Sequence, residues 1–110
     1  MKVAIFHPAA LEAVRAFPSK VRQDLGKAIF DLQKGESPGM PLSRPMPPIA
    51  SGAAELRVRD RAGVYRAFYY TRSARGILVL HAFVKKSPAT PTRDLDLSRK
   101  RLKEMLDEEN

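Results

Sequence analysis

Apolar and polar positions alternate in two rhythms along this chain, first with a helical period and later with a strand period. Lys2 to Phe6 (KVAIF) is a short β-rich run, closed by His7-Pro8. Pro8 has no N–H for a ladder and suits the first turn of a helix. A first helix is predicted over Ala9 to Ala16, with His7 as its cap. Pro18 opens a second helix through Gln33, in which Val21, Leu25, Ala28, Ile29 and Leu32 recur at helical spacing, and Gly35 stops it. The two helices read as an α-hairpin whose apolar side covers a sheet.

Glu36 to Gly52 (ESPGMPLSRPMPPIASG) holds five of the nine prolines and reads as a surface loop, pinned by Met40, Leu42, Met46 and Ile49. The strand rhythm then begins. Leu56 and Val58 alternate with Arg57 and Arg59, as in a half-buried strand with one cationic face. Asp60 to Gly63 is a turn, Val64 to Thr71 (VYRAFYYT) an aromatic central strand, and Ser73 to Gly76 a second turn. Ile77 to Val84 (ILVLHAFV) is nearly all apolar and is predicted to be buried on both faces at the middle of the sheet. A last helix starts at Pro91 behind an N-cap at Thr90 and runs to about Glu108. Leu95, Leu102, Met105 and Leu106 form its apolar stripe. The expected order is β-α-α-β-β-β-α, an α+β chain forming one domain over residues 1–110, with a small antiparallel-rich sheet.

Composition narrows the class. A hydrophobic content of 44% is enough for one core and too high for a disordered chain. No apolar run is long enough for a bilayer span, and His7, Pro8 and Glu12 interrupt any signal-like stretch, so a cytoplasmic location is expected. The absence of cysteine excludes disulfides, thiolate catalysis and cysteine zinc sites. Two separated histidines make a transition-metal site unexpected, and GxGxxG and Walker patterns are missing, so no cofactor is expected.

Charge changes the picture most. The net charge is +8, and much of it falls between Glu55 and Lys86. That stretch carries Arg57, Arg59, Arg61, Arg66, Arg72, Arg75, Lys85 and Lys86 against only Glu55 and Asp60. Cations on neighbouring strands, about 5 Å apart, can converge on one phosphate, which points to a polyphosphate partner, above all RNA. Guanidinium is a fixed cation suited to phosphate oxygens, whereas a lysine crowded by cations can lose its proton near neutrality. Tyr65 and Tyr69 share one strand face, and Phe68, Tyr70 and Arg66 share the other, making Tyr70 the ring expected beside the phosphate. His81, inside an apolar strand, reads more readily as a hydrogen-bonded core histidine, and its closeness to the lysine pair keeps it as an orienting group.

In order, Glu55-Leu56-Arg57-Val58-Arg59-Asp60, Tyr65-Arg66, Leu80-His81-Ala82-Phe83, Lys85-Lys86 and Asp94-Leu95-Asp96-Leu97 before Arg101 resemble the phage-derived Gp49-like or HigB-like toxins of the RelE/ParE superfamily. The resemblance implies a type II toxin: a metal-independent endoribonuclease acting on mRNA at the ribosome, neutralised by a helix-turn-helix antitoxin. Arg57, Arg66 and the pair Lys85 and Lys86 match the family's basic positions and are assigned to catalysis. Arg59, Tyr70, His81 and Arg93 are assigned to substrate binding. Removing the charges of Arg66 and Lys86 is expected to abolish cutting and leave the fold intact. Two other readings share the superfamily: a ParE-type inhibitor of DNA gyrase, and a phage remnant that binds RNA or an antitoxin without cleavage.

Overall fold

Prolines and glycines set most of the element boundaries. In the computed structural model, which describes residues 1–86, 89 and 91–109, β1 (Ala4–Phe6) stops before Pro8, the first residue of α1 (Pro8–Arg15). His7 caps α1 by accepting the Ala9 N–H on Nδ1 at 3.1 Å. Pro18 caps α2 (Ser19–Gln33). The chain continues through β2 (Ser43–Pro45), β3 (Ala53–Asp60), β4 (Gly63–Ser73), β5 (Gly76–Lys85) and α3 (Thr92–Asp107). Pro91 is the N-cap of α3 rather than its first residue, and Thr90 lies outside the described residues.

The five strands form one mixed sheet in the order β1-β5-β4-β3-β2. β1 runs parallel to β5, and every other pairing is antiparallel. Two expectations change here. The proline-rich segment is not all loop, because β2 pairs through Ser43↔Leu56 and Arg44↔Glu55. Its Ser43 hydroxyl bonds the Tyr69 hydroxyl at 2.7 Å, and Pro45 sits on a sheet edge, where a missing N–H is tolerated. β5 is buried on both faces along 76–82, as its composition predicts, yet β4 is the central strand, since β1 rather than a further hairpin lines the other side of β5.

Each sheet face has its own cover. On one face α1 and α2 lay Ala10, Val21, Leu25, Ala28, Ile29 and Leu32 against Leu56, Val58, Tyr65, Tyr69, Ile77 and Val79. On the other, Leu102 and Met105 of α3 join Met46 and Ile49 over Phe68, Leu78 and Leu80. Each fully buried large apolar side chain contributes about 1.5–3 kcal/mol. Gly76, at φ +141°, lets β1 come close: its Ile77 neighbour bonds the Val3 carbonyl, and a Cβ on Gly76 would lie 2.2 Å from that oxygen.

A bulge in β5 decides what faces the second cover. Tyr69 stands opposite Val79 and Phe68 opposite His81, so Leu80 is an extra residue. Before it, Ile77 and Val79 face the α1–α2 hairpin. After it the parity flips, and Ala82 and Val84 take that side. His81, Phe83 and Lys85 thereby share the face of Arg66. Arg101 of α3 donates to the Leu80 carbonyl at 3.1 Å, satisfying the backbone group at the bulge.

Candidate active site

Alternation on β3 puts Glu55, Arg57 and Arg59 on the same face as Arg66 of β4 and Lys85 of β5. Arg57 stands opposite Arg66, which stands opposite Phe83. In the next row Arg59 stands opposite Val64, which stands opposite Lys85. Three of the four residues assigned to catalysis, Arg57, Arg66 and Lys85, therefore gather in two adjacent rows of three neighbouring strands.

The hub of this cluster is Glu55, fully buried. Its Oε1 accepts the Arg44 Nε–H at 2.6 Å and lies 3.8 Å from Arg57 Nε, and its Oε2 is 3.1 Å from the Arg66 guanidinium. Arg66 is only 1% exposed. Burial pulls it below the ordinary arginine range and Glu55 opposes the shift, while Arg57 and Arg44 reinforce it. So enclosed, the Arg66 guanidinium faces Glu55 rather than the surface, where a direct contact with a phosphate was expected. Arg57 keeps 22% of its side chain exposed.

Lys85, half-buried at the end of β5, is held below the usual lysine range by burial first and Arg66 next; Glu55 pulls it back up, and Arg44 and Arg57 add smaller downward pulls. It lines a cleft of about 300 Å³ with Phe83, Val84, Lys86, Pro91, Arg93 and Asp94. Lys86 and Arg93 are exposed on its walls. Arg57 and Arg59 border a separate groove of about 410 Å³ between β3 and α2, where Asp24, Lys27, Asp31 and Leu42 form the other wall. A larger cavity of about 610 Å³ touches Leu32, Met40, Ser43, Tyr69 and Arg44 of the Glu55 cluster, and none of the residues expected from the sequence to form the site.

Two expected substrate contacts are displaced. Tyr70 shares the face of Arg66, as predicted, but lies four residues along β4, about 13 Å away at strand rise. It packs with the Met46–Phe68–Met105 cluster instead of flanking a phosphate. His81 is 9% exposed with both ring nitrogens engaged. Arg101 donates to Nδ1 at 3.2 Å, which leaves the ring proton on Nε2 to bond Asp94 at 2.7 Å, and Phe83 stacks on the ring at 5.0 Å. His81 thus joins β5 to α3 behind the cleft and positions Phe83. Among the described residues, no three His, Cys, Asp or Glu side chains are grouped to hold a metal ion.

The His81 arrangement makes stability depend on pH. Burial, with Arg101 and Arg93, lowers its pKa below 6.5, while Asp94 opposes. An unfolded histidine regains the ordinary value and binds more protons, so stability falls as pH drops below about 6.5 and levels off under the folded pKa. A lower melting temperature near pH 5 than near pH 7.5 is expected. His81→Gln should shrink that difference. An undiminished difference in the variant would assign it to other groups.

Comparison with known families bears on the whole of this region. The family described as phage-derived protein Gp49-like (DUF891) matches residues 12–103, from within α1 to within α3. The chain belongs to the Gp49-like family. This is a RelE/HigB-like toxin family, and membership is consistent with a toxin of a toxin–antitoxin system. A search of curated proteins finds no match. The α+β architecture with a five-stranded mixed sheet is compatible with a small toxin fold. No helix among the described residues is long and apolar enough to cross a membrane. In this Gp49-like chain, Glu55, Arg44, Asp94 and Arg101 join the candidate site and its support, roles that sequence reasoning did not assign to them. Glu55 had a usable signal, since it shares parity with Arg57 on the same strand. Arg44 had none, because its strand was hidden among prolines.

Proposed function

We propose that this Gp49-like protein is the toxin of a type II toxin–antitoxin system and an endoribonuclease that cuts mRNA at the ribosome without a metal ion. The observation that carries the reading is the gathering of Arg57, Arg66 and Lys85 on one sheet face, continuous with a cleft walled by Lys85, Lys86 and Arg93. Such a surface attracts RNA through its phosphates. In the proposed reaction the ribose 2′-oxygen attacks phosphorus and the bond to the 5′-oxygen breaks, leaving a 2′,3′-cyclic phosphate and a 5′-hydroxyl. Lys85, eased toward its neutral form, takes the 2′-hydroxyl proton. Lys86, on the wall of the same cleft, gives a proton to the leaving 5′-oxygen. Arg57, with the field of Arg66 behind it, stabilises the charge that builds on the phosphorane. Arg59 and Arg93 hold neighbouring phosphates. A small helix-turn-helix antitoxin, presenting acidic surface to these cations, neutralises the protein in this reading.

Purified protein incubated with translating ribosomes should yield mRNA fragments with 2′,3′-cyclic phosphate and 5′-hydroxyl ends. The end groups are the informative product, because attack by a metal-activated water leaves a terminal monophosphate instead. Intact mRNA, both on ribosomes and as free RNA, would overturn the nuclease reading. Intact mRNA with trapped gyrase–DNA complexes would favour the inhibitor reading. Salt-sensitive RNA binding without cleavage would favour the remnant.

A further inference from the structure

We infer that Glu55 is a positioning residue of the nuclease site: a single enclosed carboxylate that holds Arg44 and Arg66 relative to each other, with Arg57 beside them, and supplies the negative charge that offsets these cations on the sheet face carrying Lys85. The inference rests on the nuclease reading for its kinetic consequence and, for its electrostatic one, on the place of Glu55 among the cations of the sheet face. Arg44 comes from β2, Arg57 from β3, Arg66 from β4 and Lys85 from β5. Left to themselves, these four cations repel. The one carboxylate among them divides its oxygens, with Arg44 and Arg57 on Oε1 and Arg66 on Oε2. It is inaccessible to solvent, so neither water nor salt screens it strongly. Removing it changes both where the guanidiniums sit and what Lys85 experiences. The charged groups around Lys85 are Glu55, Arg66, Arg44 and Arg57 on the sheet side and Lys86, Arg93 and Asp94 around the cleft. Among the described residues, Glu55 is the sheet-side anion that favours the protonated amine.

The experiment compares wild type with Glu55→Gln and Glu55→Asp. Amine acylation of intact protein across pH, with the Lys85 and Lys100 peptides quantified by mass spectrometry, reads protonation without any nuclease assay. Lys85 should become reactive at lower pH than exposed Lys100, and in E55Q at lower pH still. E55D keeps the charge, so its Lys85 curve should follow wild type, while its shorter reach cannot serve Arg44 and Arg66 together. In cleavage, E55D should lose roughly 10²-fold in kcat with the acid limb of its pH profile unmoved. E55Q should lose a similar factor with that limb moved to lower pH. Should E55Q not fold, E55D decides: a wild-type kcat in E55D overturns the inference. An E55Q protein that folds and shows the wild-type Lys85 curve also overturns it, even if wild-type protein cuts RNA. If wild-type protein cuts nothing, the labelling curves still test the electrostatic claim while the nuclease reading fails separately.

Discussion

Arg66→Met should cost the protein roughly 3–5 kcal/mol of stability, read as a fall in the urea midpoint at unchanged slope. The reason is the partner it leaves behind. Arg66 is 1% exposed and Glu55 fully buried, so deleting the guanidinium strips a buried carboxylate of one of its two closest cations. Arg44, 37% exposed, remains on one oxygen and cannot serve both. Against a total of about 5–15 kcal/mol for a domain, such a loss endangers folding. The expectation that Arg66 and Lys86 could be neutralised together with the fold intact is therefore corrected: Lys86 is exposed and Arg66 is an internal support. Arg57→Met, at a side chain more than a fifth exposed, should cost far less. Equal midpoints for Arg66→Met and wild type would show that Glu55 needs no cation at that oxygen.

Lys85→Met should reverse the pattern, with stability nearly unchanged and cleavage reduced by about 10²–10⁴-fold. The side chain lies half-buried at the last position of β5, so methionine can keep its apolar stem and lose only the amine. If Lys85 takes the 2′-hydroxyl proton, the acid limb of the pH–rate profile disappears with it. Lys86→Met should act differently, weakening RNA binding and lowering the salt slope by about one phosphate contact besides slowing the chemistry. A Lys85→Met protein that cuts at the wild-type rate would remove the amine from the mechanism and leave the arginines as a binding surface only.

The helices and the three long strands were legible because their signals are local. Val21, Leu25, Ala28, Ile29 and Leu32 mark a helix face without reference to anything else, and Gly63 and Gly76 close the two turns between β3, β4 and β5. β2 was hidden because its strand character comes from Leu56 and Glu55 across the ladder, not from Ser43-Arg44-Pro45 itself. The site divides along the same line. Strand alternation put Arg57 and Arg66 together in advance. Lys85 reaches them only because Leu80 bulges, since simple alternation from Ile77 would have turned it toward the α1–α2 hairpin. Tyr70 was misplaced for a related reason: sharing a face with Arg66 says nothing about lying in the same row.

The parallel pairing of β1 with β5 carries a consequence for biosynthesis. Residues 4–6 dock on residues 77–79, so β1 waits for α1, α2, β2, β3 and β4 to be made before it finds its neighbour. The amine proposed to do the chemistry closes that same late strand. A nascent chain leaving the exit tunnel thus holds neither a finished sheet nor the proposed centre until β5 has emerged.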